Sequence, residues 1–106
     1  MRANVQTVDR LEERRDRRNL LAEAARVLKP KGRLLVRILS GDQAHSAPKL
    51  TGSGAPIRFV PAKDVIVRLI ADSNLSGIRL LKYDDPPCFV HDGVSMRETH
   101  IEAFRA

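Results

Sequence analysis

The stretch ARVLKPKGRLLV (Ala25–Val36) decides how this chain folds. It joins the end of an apolar stripe to a Pro, a Gly and a run of aliphatic residues. Upstream, Leu20, Leu21, Ala24, Val27 and Leu28 fall at i, i+1, i+4, i+7 and i+8, which is one face of a helix. The spacing predicts an amphipathic helix over 9–28, with Asp9 as N-cap and Glu12 three residues on as the back-bonding member of a capping box. Pro30 cannot continue that helix, and Gly32 frees the backbone for a tight turn. Leu34–Leu39 reads LLVRIL, nearly continuous rather than alternating. That pattern predicts a strand buried on both faces, as in a parallel sheet covered by helices. A helix passing through a short turn into a buried strand is half of an α/β unit.

The same logic extends downstream. Residues 40–60 hold Gly41, Pro48, Gly52, Gly54 and Pro56, and read as a long loop or lid. Pro61 suits the first turn of a helix over 61–73, with Val65, Ile66, Leu69 and Ile70 as its stripe and Asn74 as a left-handed terminator. Ile78–Tyr83 reads as a strand that Asp84-Asp85-Pro86-Pro87 breaks. His91-Asp92-Gly93 signals a turn into a last, bulged strand over 94–104. The expected order is α-β-α-β-β in a single domain of residues 1–106.

Bulk properties narrow the class. A chain of 106 residues with 42% hydrophobic and 30% charged residues has the composition of one globular domain with a modest core. No apolar run approaches the roughly 18 residues of a membrane span, and no apolar leader opens the chain. Cys88 is the only cysteine, so an internal disulfide or a cysteine-based zinc site is excluded. The expectation is a reducing, cytoplasmic setting with no membrane partner. The net charge of +6 lies wholly in residues 1–37, which hold 11 Lys and Arg against 5 Asp and Glu. Arg14, Arg15, Arg17 and Arg18 fall mostly off the apolar stripe. They make a solvated helix face or, as the functional alternative, an RNA-contacting one. No aromatic residue interleaves with them to stack bases.

The phrase LLAEAARVLKPKGRLLV (Leu20–Val36) resembles the segment of class I S-adenosylmethionine-dependent methyltransferases that leads into the fifth sheet strand. LEERRDRRNLL (Leu11–Leu21) is similar to that family's approach to the helix. KDVIVRLIADSNLSGIRLLKY (Lys63–Tyr83) resembles its next helix and sixth strand, with Asn74-Leu75 in place of a Gly-Phe pair. DGVSMRETHIEAFR (Asp92–Arg105) resembles its antiparallel seventh strand. Lys31 stands where the family commonly has a first Gly, which leaves Gly32 alone to absorb the turn. The resemblance implies an α/β fold: a partial Rossmann-like methyltransferase sheet, the C-terminal half, truncated before the N-terminal cofactor-binding strands. It implies methyl transfer with S-adenosylmethionine as cofactor and substrate contacts in residues 40–60.

Neither the family's GxGxG turn nor its ribose-holding acidic residue is present, so no cofactor-binding residue is assigned and the isolated chain is expected to be inactive. Gly52-Ser53-Gly54 follows no strand and opens no helix, and so fails the context of such a turn. An open edge at the Leu34–Leu39 strand suggests a homodimer or a partner that completes the sheet. The contrasting reading is a basic stand-alone module that binds nucleic acid or such a partner. No catalytic residue is assigned. Asp84 and Asp85 read as turn residues, and Cys88 as a small apolar residue with His91 three positions on. His45, His91 and His100 are scattered along the chain, so no metal site is expected.

Overall fold

The computed structural model describes residues 2–46, 59–83 and 85–106. The chain opens with a strand the sequence pattern does not reveal, β1 (Ala3–Asp9). A left-handed Arg10 and a short 3-10 turn at Leu11–Glu13 follow, and then α1 (Arg17–Val27). β2 (Leu28–Gly41) leads to the short β3 (His45–Ser46). Beyond the undescribed stretch lie β4 (Phe59–Val60), α2 (Lys63–Asp72) and β5 (Leu75–Tyr83). β6 (Phe89–His91) and β7 (Val94–Arg105) complete the chain.

The main sheet runs β1-β2-β7-β5, with β6 also paired to β7. β1 and β2 are parallel; β7 is antiparallel to both its neighbours, β2 and β5. The fold is α/β as expected, and it gains β1 at its front. That strand escapes notice because its apolar residues are few. Val8 is buried at 7% exposure while Val5 is half exposed, so no strong alternation marks the segment.

The helix over 9–28 is correspondingly shorter. Asp9 is not its N-cap but the end of β1, and Glu12 completes no capping box. Within α1 the predicted stripe does pack inward: Leu21 and Ala24 are buried, with Leu28 just beyond, while Leu20 and Val27 are half-buried and Ala25 joins the core beside them. From the far end of β7, Arg105 Nη1 donates to the carbonyls of Arg26 and Leu28, satisfying acceptors at the helix C-terminus.

The opening junction takes an unexpected form. Ala3 pairs with Leu28 and Val5 with Arg33, so Lys29–Gly32 bulge out opposite Asn4. The left-handed residue is Lys31, at φ 65°, rather than Gly32. Gly32 is needed for space instead. A Cβ there would lie 2.7 Å from the Lys29 carbonyl oxygen and 3.1 Å from that of Asn4.

β2 is buried on both faces only at its end, where Ile38–Gly41 are all buried, and on one face over Arg33–Arg37. Leu34, Val36 and Ile38 pack into one core with Leu21, Ile66, Ile70, Leu75, Ile101 and Ala103, beneath both helices. The opposite face presents Arg33, Leu35 and Arg37, which are half-buried or exposed. That face is laced with ion pairs rather than covered by helices. Arg33 Nε donates to Glu102 at 2.5 Å, and Arg79 approaches the same carboxylate at 3.6 Å. Lys82 and His100 both reach Glu98.

α2 begins two residues after Pro61, and Asn74 takes the expected left-handed conformation at φ 62°. The bulges lie in β5, not in β7. Ser76 to Arg79 spans three residues against two on β7, and Leu80 to Lys82 spans two against one. β7 pairs with β2 without interruption from Arg33↔Phe104 to Gly41↔Met96. Of the predicted 40–60 loop, its ends pair as β3 and β4, and residues 47–58 lie outside the described residues.

Candidate functional site

Ligands on open α/β sheets sit beyond the carboxyl ends of parallel strands. In this chain those ends are Asp9 of β1 and Arg37–Gly41 of β2. A cleft of about 480 Å³ lies there, lined by Asp9, Arg10, Glu12, Glu13, Arg37, Ile38, Leu39, Cys88, Phe89 and Glu98. Asp9 and Arg37 face each other across the parallel pair in register. Arg37 Nε donates to Asp9 Oδ1 and Nη2 to Oδ2, the latter at 2.9 Å, which is a bidentate pair. That pair is mutually neutralised and Glu98 is held by Lys82 and His100, so Glu12, Glu13 and Arg10 are the acidic and basic side chains of the lining that remain.

Glu12 is the most constrained of these groups. The 3-10 turn carries it inward to 7% exposure, and its Oε2 accepts the Leu39 N–H at 2.9 Å. Burial pushes its carboxyl above the usual carboxylate range, and the Leu39 hydrogen bond offsets part of that rise. Arg17 Nη2 donates to the Glu12 carbonyl oxygen at 2.7 Å, and the Arg17 guanidinium lies 5.2 Å from the centre of the Phe59 ring. Its Nε is buried with no hydrogen-bond partner among the described residues. Burial works against its charged form, while Glu12 favours it.

The four arginines singled out from the sequence therefore do not act as one face. Arg14, Arg15 and Arg18 are exposed, with Arg14 paired to Asp16 at 3.3 Å, and Arg17 turns inward. Cys88 is exposed at the rim of the cleft. Asp85 is exposed, while Asp84 and Gly52-Ser53-Gly54 lie outside the described residues. His100 stands on the open sheet face with its Nε2 2.9 Å from Glu98 Oε1.

His45 and His91 are not scattered. The fold brings His45 Nε2 to 2.9 Å from His91 Nδ1 and to 3.5 Å from Asp92 Oδ2, and His91 Nδ1 lies 3.3 Å from the same carboxylate oxygen. Sequence spacing carries no sign of this, because the two histidines are 46 residues apart. Glu12 was legible only as a capping residue, since nothing local announces that Leu39 needs an acceptor.

No family model matches the sequence, and no curated protein matches it. Solved structures do. An O-methyltransferase family protein from Burkholderia thailandensis superposes with a TM-score of 0.62 at 18% identity, covering 99% of this chain and 31% of that one. An arsenic(III) S-adenosylmethionine methyltransferase from Chlamydomonas reinhardtii gives 0.62 at 21%, covering 92% and 36%. A glycopeptide N-methyltransferase solved with S-adenosyl-L-homocysteine gives 0.56 at 16%, covering 99% and 55%. At these identities the likeness establishes the fold. The chain has the fold of part of a methyltransferase, and it spans between about a third and just under two thirds of the proteins it matches.

Proposed function

We propose that these residues form the C-terminal half of an S-adenosylmethionine-dependent methyltransferase and contribute one wall of its ligand cleft. The observation that carries this reading is the sheet. Two parallel strands are followed by an antiparallel β7 inserted between β2 and β5, with a cleft beyond the parallel strand ends. The methyltransferase structures matched above share this fold.

S-adenosylmethionine supplies an electrophilic methyl group, and the protein's part in such chemistry is chiefly positioning. The residues present do not fit a complete cofactor cradle. The passages from β1 to α1 and from β4 to α2 contain no glycine, so neither backbone approaches a ligand as a Gly-rich turn does. We assign the cradle to sequence outside these residues. This chain's own part is to hold Glu12 in place, to neutralise Asp9 with Arg37, and to present the segment after β2 to the acceptor.

The test is ultraviolet cross-linking of radiolabelled S-adenosylmethionine to the protein captured from its native source with an antibody against these residues. Label is expected on a product heavier than the 11.9 kDa of this chain. A native product of that mass that takes up no label would overturn the reading.

A further inference from the structure

We propose that His45, His91 and Asp92 bind one divalent transition-metal ion of the zinc class. The inference is independent of the methyltransferase reading. Two imidazole nitrogens and one carboxylate oxygen converge from separate elements. His45 comes from β3, His91 from the end of β6, and Asp92 from the turn that joins β6 to β7. Their ligand atoms all lie within 4.8 Å of one another.

The geometry suits a metal in detail. The triangle of ligand atoms has edges of 2.9, 3.3 and 3.5 Å. Zinc–nitrogen and zinc–oxygen bonds of about 2.0–2.2 Å set ligand–ligand edges of about 2.9 Å at right angles and about 3.4 Å in a tetrahedron. An ion therefore fits with small adjustments. The outer shell is also in place at His45. Its Nδ1 lies 2.9 Å from the Ser46 carbonyl, which only accepts, so Nδ1 carries the proton and Nε2 presents a lone pair inward. In the metal-free state His91 Nδ1 donates to that lone pair, and an ion would displace this proton.

The supporting frame holds both sides. Asp92 and Gly93 both have positive φ, 51° and 77°, the signature of a two-residue type I′ hairpin. The hairpin is closed by the His91↔Val94 pair, so the His and the carboxylate are held at adjacent positions of one turn. On the other side, Asp42 N–H donates to the Ser95 carbonyl at 3.1 Å and Ser95 N–H donates to Asp42 Oδ1 at 3.3 Å. Val60 and Val94, the strand partners of His45 and His91, belong with Leu39 and Met96 to a separate apolar cluster. The site is reachable, since the Asp92 side chain is 73% exposed. Two histidines and one carboxylate leave further coordination positions open to water.

The test is calorimetric titration of the untagged 106-residue chain with Zn²⁺, paired with visible absorption on addition of Co²⁺. One ion per chain is expected, with ligand-field bands of low-coordinate Co²⁺. His91→Gln and Asp92→Asn are expected to lower the affinity at least about tenfold, while His100→Gln binds as the parent does. His91 lies on a partly exposed hairpin, so its variant is expected to keep the parent amide NMR spectrum. A Zn²⁺-dependent rise in the melting midpoint should vanish in that variant. Absence of one-to-one binding, or equal affinity in the folded His91→Gln chain, would overturn the proposal and leave a histidine–histidine hydrogen bond.

Discussion

Leu34 and Leu35 are neighbours on β2 that point to opposite faces of the sheet, and truncating each to Ala separates the two faces energetically. Leu34 is 0% exposed within the helix-covered core. Leu→Ala deletes three carbons, so at about 0.8 kcal/mol for each buried methylene-sized group the transfer loss is about 2.4 kcal/mol. A cavity in a fully enclosed site adds about 1 kcal/mol, for a total of about 3–4 kcal/mol. Leu35 sits on the open face between Arg33 and Arg37 and opposite Glu102. Part of its surface is already wet, and the flexible arginine stems can close over the gap, so no enclosed cavity forms. Its expected loss is about 1–2 kcal/mol. Urea unfolding followed by circular dichroism measures both. Equal losses at the two positions would refute one-sided burial, because they would require the Leu35 face to be covered as closely as the Leu34 face.

Three further outcomes follow from particular residues. Folding favours the protonated form of Glu12, whose carboxyl is raised by burial, so its contribution to stability is present below the ordinary carboxylate pKa and is lost as pH rises through the folded value. Relative to Glu12→Gln, the parent should therefore lose stability as pH rises from about 4.5 towards neutrality, as read by denaturation at several pH values; a parallel pH dependence in the two would contradict this. Gly41→Ala would place a Cβ 2.4 Å from the Gln43 carbonyl oxygen and 3.3 Å from Val94 Cγ1, and should cost about 1–3 kcal/mol in the same unfolding assay. Lys31→Gly relieves a left-handed lysine at φ 65° and should stabilise the chain by up to about 1 kcal/mol, since strain relief exceeds the entropic cost of glycine; a net loss would show that Lys31 is unstrained.

Much of the fold was legible because its signals are local. The stripe Leu20–Leu28 and the Ile66–Ile70 pair are periodic, and helices must obey that period. The left-handed Asn74 and the Asp92-Gly93 turn are likewise written in single residues. What was hidden depends on partners distant in sequence. β1 carries too few apolar residues to announce itself, and becomes a strand because β2 offers it a parallel edge. LLVRIL reads as buried on both sides, which holds at Leu39, yet Leu35 and Arg37 lie among ion pairs from β7 and β5 that no window around residue 35 contains. The imperfect alternation of 94–104 points to bulges in β7, whereas a strand paired on both sides keeps its register and the edge strand β5 yields. The candidate sites follow the same rule. Asp9 and Arg37 meet through strand register, Glu12 through an unpaired amide on β2, and His45 with His91 through the docking of two hairpin-like segments.

The central claim is that these residues have the methyltransferase fold while the cradle for its cofactor lies elsewhere. Calorimetric titration of the 106-residue chain with S-adenosyl-L-homocysteine tests it most directly. The account predicts no saturable heat at micromolar ligand. Saturable one-to-one binding in that range would contradict it, and would place a complete cofactor site within the chain itself.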